Sequence, residues 1–115
     1  MGMMDWNEYH KQVSSGMGVI GKISPDIVRG YQTLSAAADK TGLLGPKVKE
    51  LIALAVAVTV RCDGCIVVHT DAAIKAGATR AEIAEALGTA AAVNAGAALV
   101  YSTRAMDAYA AKTAE

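Results

Sequence analysis

Apolar residues recur along this chain at helical spacing, and outside a valine-rich patch at positions 56 to 60 they do not alternate with polar residues as a strand would require. A short amphipathic opening carries Trp6, Tyr9 and Val13, and the run Ser14-Ser15-Gly16-Met17-Gly18 is expected to be flexible. Ser24-Pro25-Asp26 then offers a cap, a proline at the first helical position and an acidic first turn, predicting a helix to about Lys40 that stops at Gly42. Gly45-Pro46 opens the next helix, with Val48, Leu51, Ile52, Ala55 and Thr59 on one stripe and apolar residues around most of the remaining circumference. Such a helix is expected to be buried nearly all round. β-Branched Val58-Thr59-Val60 and the poor helix former Gly64 predict an interruption over positions 61 to 64. A fresh helix follows, with Asp63 able to cap it, and ends at Gly77. Thr79-Arg80-Ala81-Glu82 is a capping box for another helix that buries Ile83, Leu87 and Ala90 or Ala91. Asn94-Ala95-Gly96 is expected to weaken or break that run before a final helix turns Leu99, Val100, Thr103 and Met106 toward the core.

Composition sharpens this into one all-α domain over residues 1–115, a bundle of five to six helices. Hydrophobic residues make up 53% of the 115, alanine alone supplies 24, and phenylalanine is absent, so there is chain for one core and not two. Eleven basic side chains balance eleven acidic ones without a block of either sign, which leaves no electrostatic footprint for nucleic acid or an anionic membrane. No basic segment leads into an apolar one at the N-terminus, and the longest apolar run, positions 51 to 60, falls short of the roughly 20 residues a bilayer span needs. The working location is therefore cytoplasmic. A chain this small and this apolar is expected to bury part of its surface against copies of itself.

Candidate chemistry is concentrated in one window, Cys62-Asp63-Gly64-Cys65-Ile66-Val67-Val68-His69, which holds both cysteines and one of the two histidines. In a helix, Cys62 and Cys65 at i and i+3 share a face, and His69 lies one turn beyond Cys65 on the same stripe. A thiol with a second thiol in disulfide reach and an imidazole that can take up and return its proton is the arrangement of a redox-active dithiol. A reducing compartment also favours a catalytic, sensing or metal-binding pair over a structural staple. Other readings remain at this level. No second CxxC completes a Cys₄ zinc site, although Cys62, Cys65, His69 and Glu50 could form a mixed one, and both cysteines could simply be small buried residues. No strand–helix–strand pattern surrounds the motif to suggest a thioredoxin fold. Glu50, by spacing alone, reads as a surface residue of a first helical turn. His10 reads as solvated, Tyr101 and Tyr109 as core or subunit-contact residues, and Arg61 as a charge that could lower the pKa of the adjacent thiol.

Glu50, then Cys62-x-x-Cys65-x-x-x-His69, followed by the segment Gly77-Ala78-Thr79-Arg80-Ala81-Glu82-Ile83-Ala84-Glu85-Ala86-Leu87, resembles the alkyl hydroperoxidase D-like (AhpD-like) branch of the carboxymuconolactone decarboxylase family. The similarity spans about positions 45 to 106. It implies that Cys65 is the peroxidatic thiol, Cys62 its resolving partner, His69 the activating base and Glu50 the group that orients or relays protons to the histidine. The implied cycle reduces a hydroperoxide and leaves a Cys62–Cys65 disulfide, which an external dithiol reopens, with a lipoylated carrier or a peroxiredoxin as candidate partners. No cofactor or metal is implied. Similar small relatives suggest a homo-oligomer, a trimer or a hexamer built from dimers. This chain departs from the founding members in carrying Gly64 where they have a relay histidine, and in lacking much of their N-terminal half. Alternatives within and beyond the family are a lactone decarboxylase, whose histidine and carboxylate would work without thiols, and an oligomeric redox sensor without turnover.

Overall fold

A computed structural model describes residues 2–113, which form five helices: α1 (Trp6–Ile23), α2 (Pro25–Thr41), α3 (Gly45–Val60), α4 (Asp63–Lys75) and α5 (Arg80–Thr113). Asp5 starts α1, its carboxylate accepting the Glu8 N–H at 3.0 Å. The helix runs unbroken through positions 14 to 18, where flexibility was expected. Each glycine there costs about 1 kcal/mol relative to alanine, which weakens a helix without stopping one that is well capped and continues in register. Ser24 separates α1 from α2 through its backbone, its N–H donating to Ile20 O at 2.7 Å, and Pro25 opens α2 without help from the serine hydroxyl. Gly42, with φ +62°, closes α2 in the left-handed conformation anticipated for it. An Asp39–Lys49 ion pair ties the end of α2 to α3.

The centre of the fold is the α3–α4 hairpin, with α5 against α3 and α1 against α4. Leu54 and Ala57 of α3, Val67 and Ala73 of α4 and Ala90 of α5 are buried. Three of these five are alanines, so the helices meet through small side chains. The capping box forms as expected, Glu82 N–H donating to Thr79 Oγ1 and Thr79 N–H to Glu82 Oε1. Lys47 adds a bond from α3, its Nζ donating to Glu82 Oε2 at 2.7 Å. The expected break at Asn94-Ala95-Gly96 does not occur. Asn94 Nδ2 donates instead to Ala90 O at 2.7 Å and Thr59 Oγ1 at 2.9 Å, so the side chain expected to disrupt α5 fastens it to α3.

Two expectations of burial are corrected. The outer face of α3 is open, with Ile52 and Val56 about half exposed, and Leu99, Val100 and Met106 stand in solvent at 74%, 71% and 68% exposure. The cause is geometric. An unbroken α5 of 34 residues is about 51 Å long at 1.5 Å per residue, so its C-terminal half runs past the 16-residue α3 that it packs on. The radius of gyration is 18.9 Å, against roughly 13 Å for a compact chain of this length. Accessible surface totals 8821 Å², where a folded monomer of this mass exposes roughly 5,900 Å². By length and composition alone α5 is also apolar enough to cross a bilayer, with a mean hydropathy of 1.5 over its best 18 residues. The reading of the sequence missed this because it split the segment in two.

The Lys47 ammonium, followed by the Thr79 N–H, holds the Glu82 carboxyl down to about 2 from an ordinary value of 4.5. A carboxylate depressed in this way stabilises the fold above its unfolded pKa and loses that contribution as pH falls through the folded one. Glu82→Gln is therefore expected to lower the melting temperature by a constant amount above about pH 5, with the difference from wild type shrinking as pH falls toward 2. Thermal melts across that range check it, and a difference independent of pH would remove the carboxylate from the account.

Candidate active site

Arg61 ends α3 in the left-handed region, at φ 57° and ψ 54°. It is the one residue other than glycine with positive φ among those described. The turn is closed by Cys62 N–H, which donates to Ala57 O at 3.1 Å. Cys62 then takes an extended conformation, φ −104° and ψ 100°, and becomes the N-cap of α4, its Sγ accepting the Cys65 N–H at 3.1 Å. Asp63 is also able to cap this helix. It occupies the first helical position instead, where its backbone is already helical and its charge favours the positive end of the dipole. Cys62 and Cys65 are joined as a disulfide, their Cα atoms 5.2 Å apart.

One turn further along α4, His69 Nδ1–H donates to Glu50 Oε2 at 2.7 Å. An ionised carboxylate can only accept, so a neutral imidazole paired with one carries its proton on Nδ1 and presents the Nε2 lone pair on the other side of the ring. Both side chains are half-buried, at 28% and 23% exposure. Glu50 is not in the first turn of its helix, as spacing alone suggested. With α3 beginning at Gly45 it is the sixth residue, on the face turned toward α4. The hairpin thus carries all four residues to which the family resemblance assigns roles: a disulfide at the start of α4, a histidine one turn down the helix, and a carboxylate bonded to that histidine from the facing helix.

The other candidates lie elsewhere. Arg61 is exposed at the turn, and Tyr101 and Tyr109 project from the free part of α5. His10 is half-buried where it was expected to be solvated. It lines a cleft of about 440 Å³ between α1 and α4 together with Trp6, Ile66, Thr70, Asp71 and Ile74. Helical spacing puts Ile66, Thr70 and Ile74 on the side of α4 turned away from Cys65 and His69. One neighbour of the motif escaped the sequence reading. Gly64, between the cysteines, faces α1, and a Cβ there would lie 3.6 Å from Val13 Cγ2 and 3.9 Å from the Tyr9 hydroxyl. The signal available was the helical spacing of Tyr9 and Val13 together with a glycine in the motif, but nothing in the sequence said which helix would meet that glycine.

Comparison with known proteins identifies the family to which this fold belongs. Residues 25–108 match the model of the carboxymuconolactone decarboxylase family. An uncharacterized protein of Haemophilus influenzae is 51% identical over 105 residues, covering 91% of this chain and 93% of its own length. Uncharacterized protein 4 in the cox locus of Paracoccus denitrificans is 34% identical, covering 83% and 86%. Among solved structures, the apo form of a carboxymuconolactone decarboxylase family protein from Legionella pneumophila superposes with a TM-score of 0.73 at 36% identity, over 90% of this chain and 93% of that one. With the family model matching well over half its length and its helices following a solved member, this chain belongs to the carboxymuconolactone decarboxylase family.

Proposed function

We propose that the protein is a dithiol oxidoreductase that reduces hydroperoxides through Cys62 and Cys65. The observation that carries this reading is the pairing of a Cys62–Cys65 disulfide at the cap of α4 with a His69–Glu50 hydrogen bond one turn away. In the reduced enzyme His69 Nε2 takes the Cys65 thiol proton, and the thiolate attacks the distal oxygen of the peroxide. An S–O bond forms, the O–O bond breaks, Cys65 is oxidised to a sulfenic acid, and the leaving oxygen takes up a proton to depart as alcohol or water. Cys62 then attacks the sulfenic sulfur, releasing water and forming the disulfide. An external dithiol returns both thiols by exchange, and a lipoylated carrier or a peroxiredoxin fits that role. Glu50 holds the imidazole in the tautomer that leaves Nε2 basic. A lactone decarboxylase would use the histidine and carboxylate without the sulfurs, so the sulfur pair at the helix cap favours the thiol reading. We place this reaction in the cytoplasm.

The assembly belongs to the same proposal. The surface in excess of a compact monomer, close to 3,000 Å² on the figures above, is on the scale that obligate subunit interfaces bury. Copies of this chain, three or six together, supply the cover that the open faces of α3 and α5 lack.

With tert-butyl hydroperoxide as substrate and dihydrolipoamide as reductant, wild type is expected to turn over. Cys65→Ser should abolish consumption, Cys62→Ser should block disulfide formation and sustained cycling, and His69→Ala should slow the peroxide step by about 10²- to 10⁴-fold. Consumption unaffected by Cys65→Ser would rule the mechanism out. Light scattering at micromolar concentration should give a mass three or six times 11.8 kDa, and a monomeric mass would overturn the assembly.

A further inference from the structure

Two stretches of helix in this chain have nothing packed on their apolar faces. In α2 no residue is buried, and positions 29–41 are exposed without exception. The bond from Asn94 to Thr59 is the last hydrogen bond from α5 to α3 among the described residues. Beyond it, only Gly96 and Ala110 of positions 95–113 are even half-buried. A helix of either length standing alone in water is marginal, and most helices in proteins are held by the packing of an amphipathic face. Both stretches therefore require cover that their own chain does not give.

The two faces fit each other. On α2, Ile27, Tyr31 and Leu34 follow at intervals of four and three residues, with 63%, 56% and 75% exposure. Leu99, Thr103 and Met106 repeat those intervals on α5, and each row is closed by an alanine four residues on, Ala38 and Ala110. Alternating steps of four and three form the seam along which two helices interlock their side chains. At 1.5 Å per residue α2 is about 26 Å long and positions 95–113 about 28 Å, so the seams match in length. Their flanks differ. Gly30, Ser35 and Ala37 beside the α2 seam are small, whereas Val100 and Tyr109 beside the α5 seam are large and exposed. Large flanks would hold two α5 helices apart, while the small flanks of α2 let an α5 helix come close.

The area to be covered calls for more than one neighbour. The surface in excess of a compact monomer, about 3,000 Å², is several times the roughly 800 Å² that each partner brings to a standard interface. We propose that α2 of one copy lies along the free half of α5 of the next. Each chain then meets one neighbour through α2 and another through α5, and such head-to-tail contacts close into a ring. This pairing rests on the assembly proposed above.

The test uses two variants, Leu34→Glu in α2 and Leu99→Glu in α5, both at side chains about three-quarters exposed in the single chain. Each should lower the mass found by light scattering at micromolar concentration below that of wild type. Mixed in equal amounts, the two should give a species heavier than either forms alone, because the first keeps an intact α5 and the second an intact α2. Amide hydrogen exchange at positions 29–41 and 95–113 should be slower in wild type than in the double variant by about 10-fold or more. Either single variant at wild-type mass, a mixture no heavier than its components, or equal exchange in wild type and double variant would overturn the pairing while leaving the assembly intact. A monomeric wild type would overturn both.

Discussion

The turn at Arg61 and Cys62 is the constraint on which the rest of this structure depends. One residue in the left-handed region and one N–H returned to Ala57 reverse the chain between α3 and α4. Because the reversal takes only two residues, the helices lie side by side with a fixed register. That register sets Glu50, eleven positions before Arg61, against His69, seven positions after Cys62. The same turn leaves the first amide groups of α4 without intrahelical partners, and Cys62 is the residue placed to receive one. Orientation of the histidine and capping by the cysteine are thus two results of one local geometry. A longer connection would have provided neither without further contacts to hold it.

Most of the helical punctuation was legible because it is chemical and local. Pro25, Gly42, Gly45-Pro46 and the Thr79–Glu82 box each act through a fixed φ, a missing donor or a side chain three residues away, and each marks the end or beginning it was expected to mark. The misreadings came where a weak local preference met a contact from another helix. Asn94 has a poor intrinsic place inside a helix, yet a hydrogen bond to Thr59 gives it one. Asp63 is a better capping residue than cysteine by propensity, but the position of the reversal decided which of them stood outside the helix.

The four candidate site residues were legible to different degrees. Cys62, Cys65 and His69 share one helix face through spacing alone, so elementary geometry was enough. Glu50 lies on another helix, and only resemblance to a family connected it with His69. Burial was the least legible of all. A hydrophobic pattern records which faces need cover but not whether the cover comes from the same chain, and the open sides of α3 and α5 read in sequence like the buried faces of a larger monomer.

Reducing a disulfide whose sulfur also caps a helix leaves at the end of α4 a thiol, a group whose proton can be lost where the closed pair had none to lose. As a thiolate, Cys62 would bring a full negative charge to the positive pole of the helix and strengthen the bond from the Cys65 amide. The helix therefore favours the pair when it is open over the pair when it is closed. For a pair that turns over as proposed, an amide whose evident duty is to finish a turn of backbone thereby becomes part of the driving force for accepting electrons.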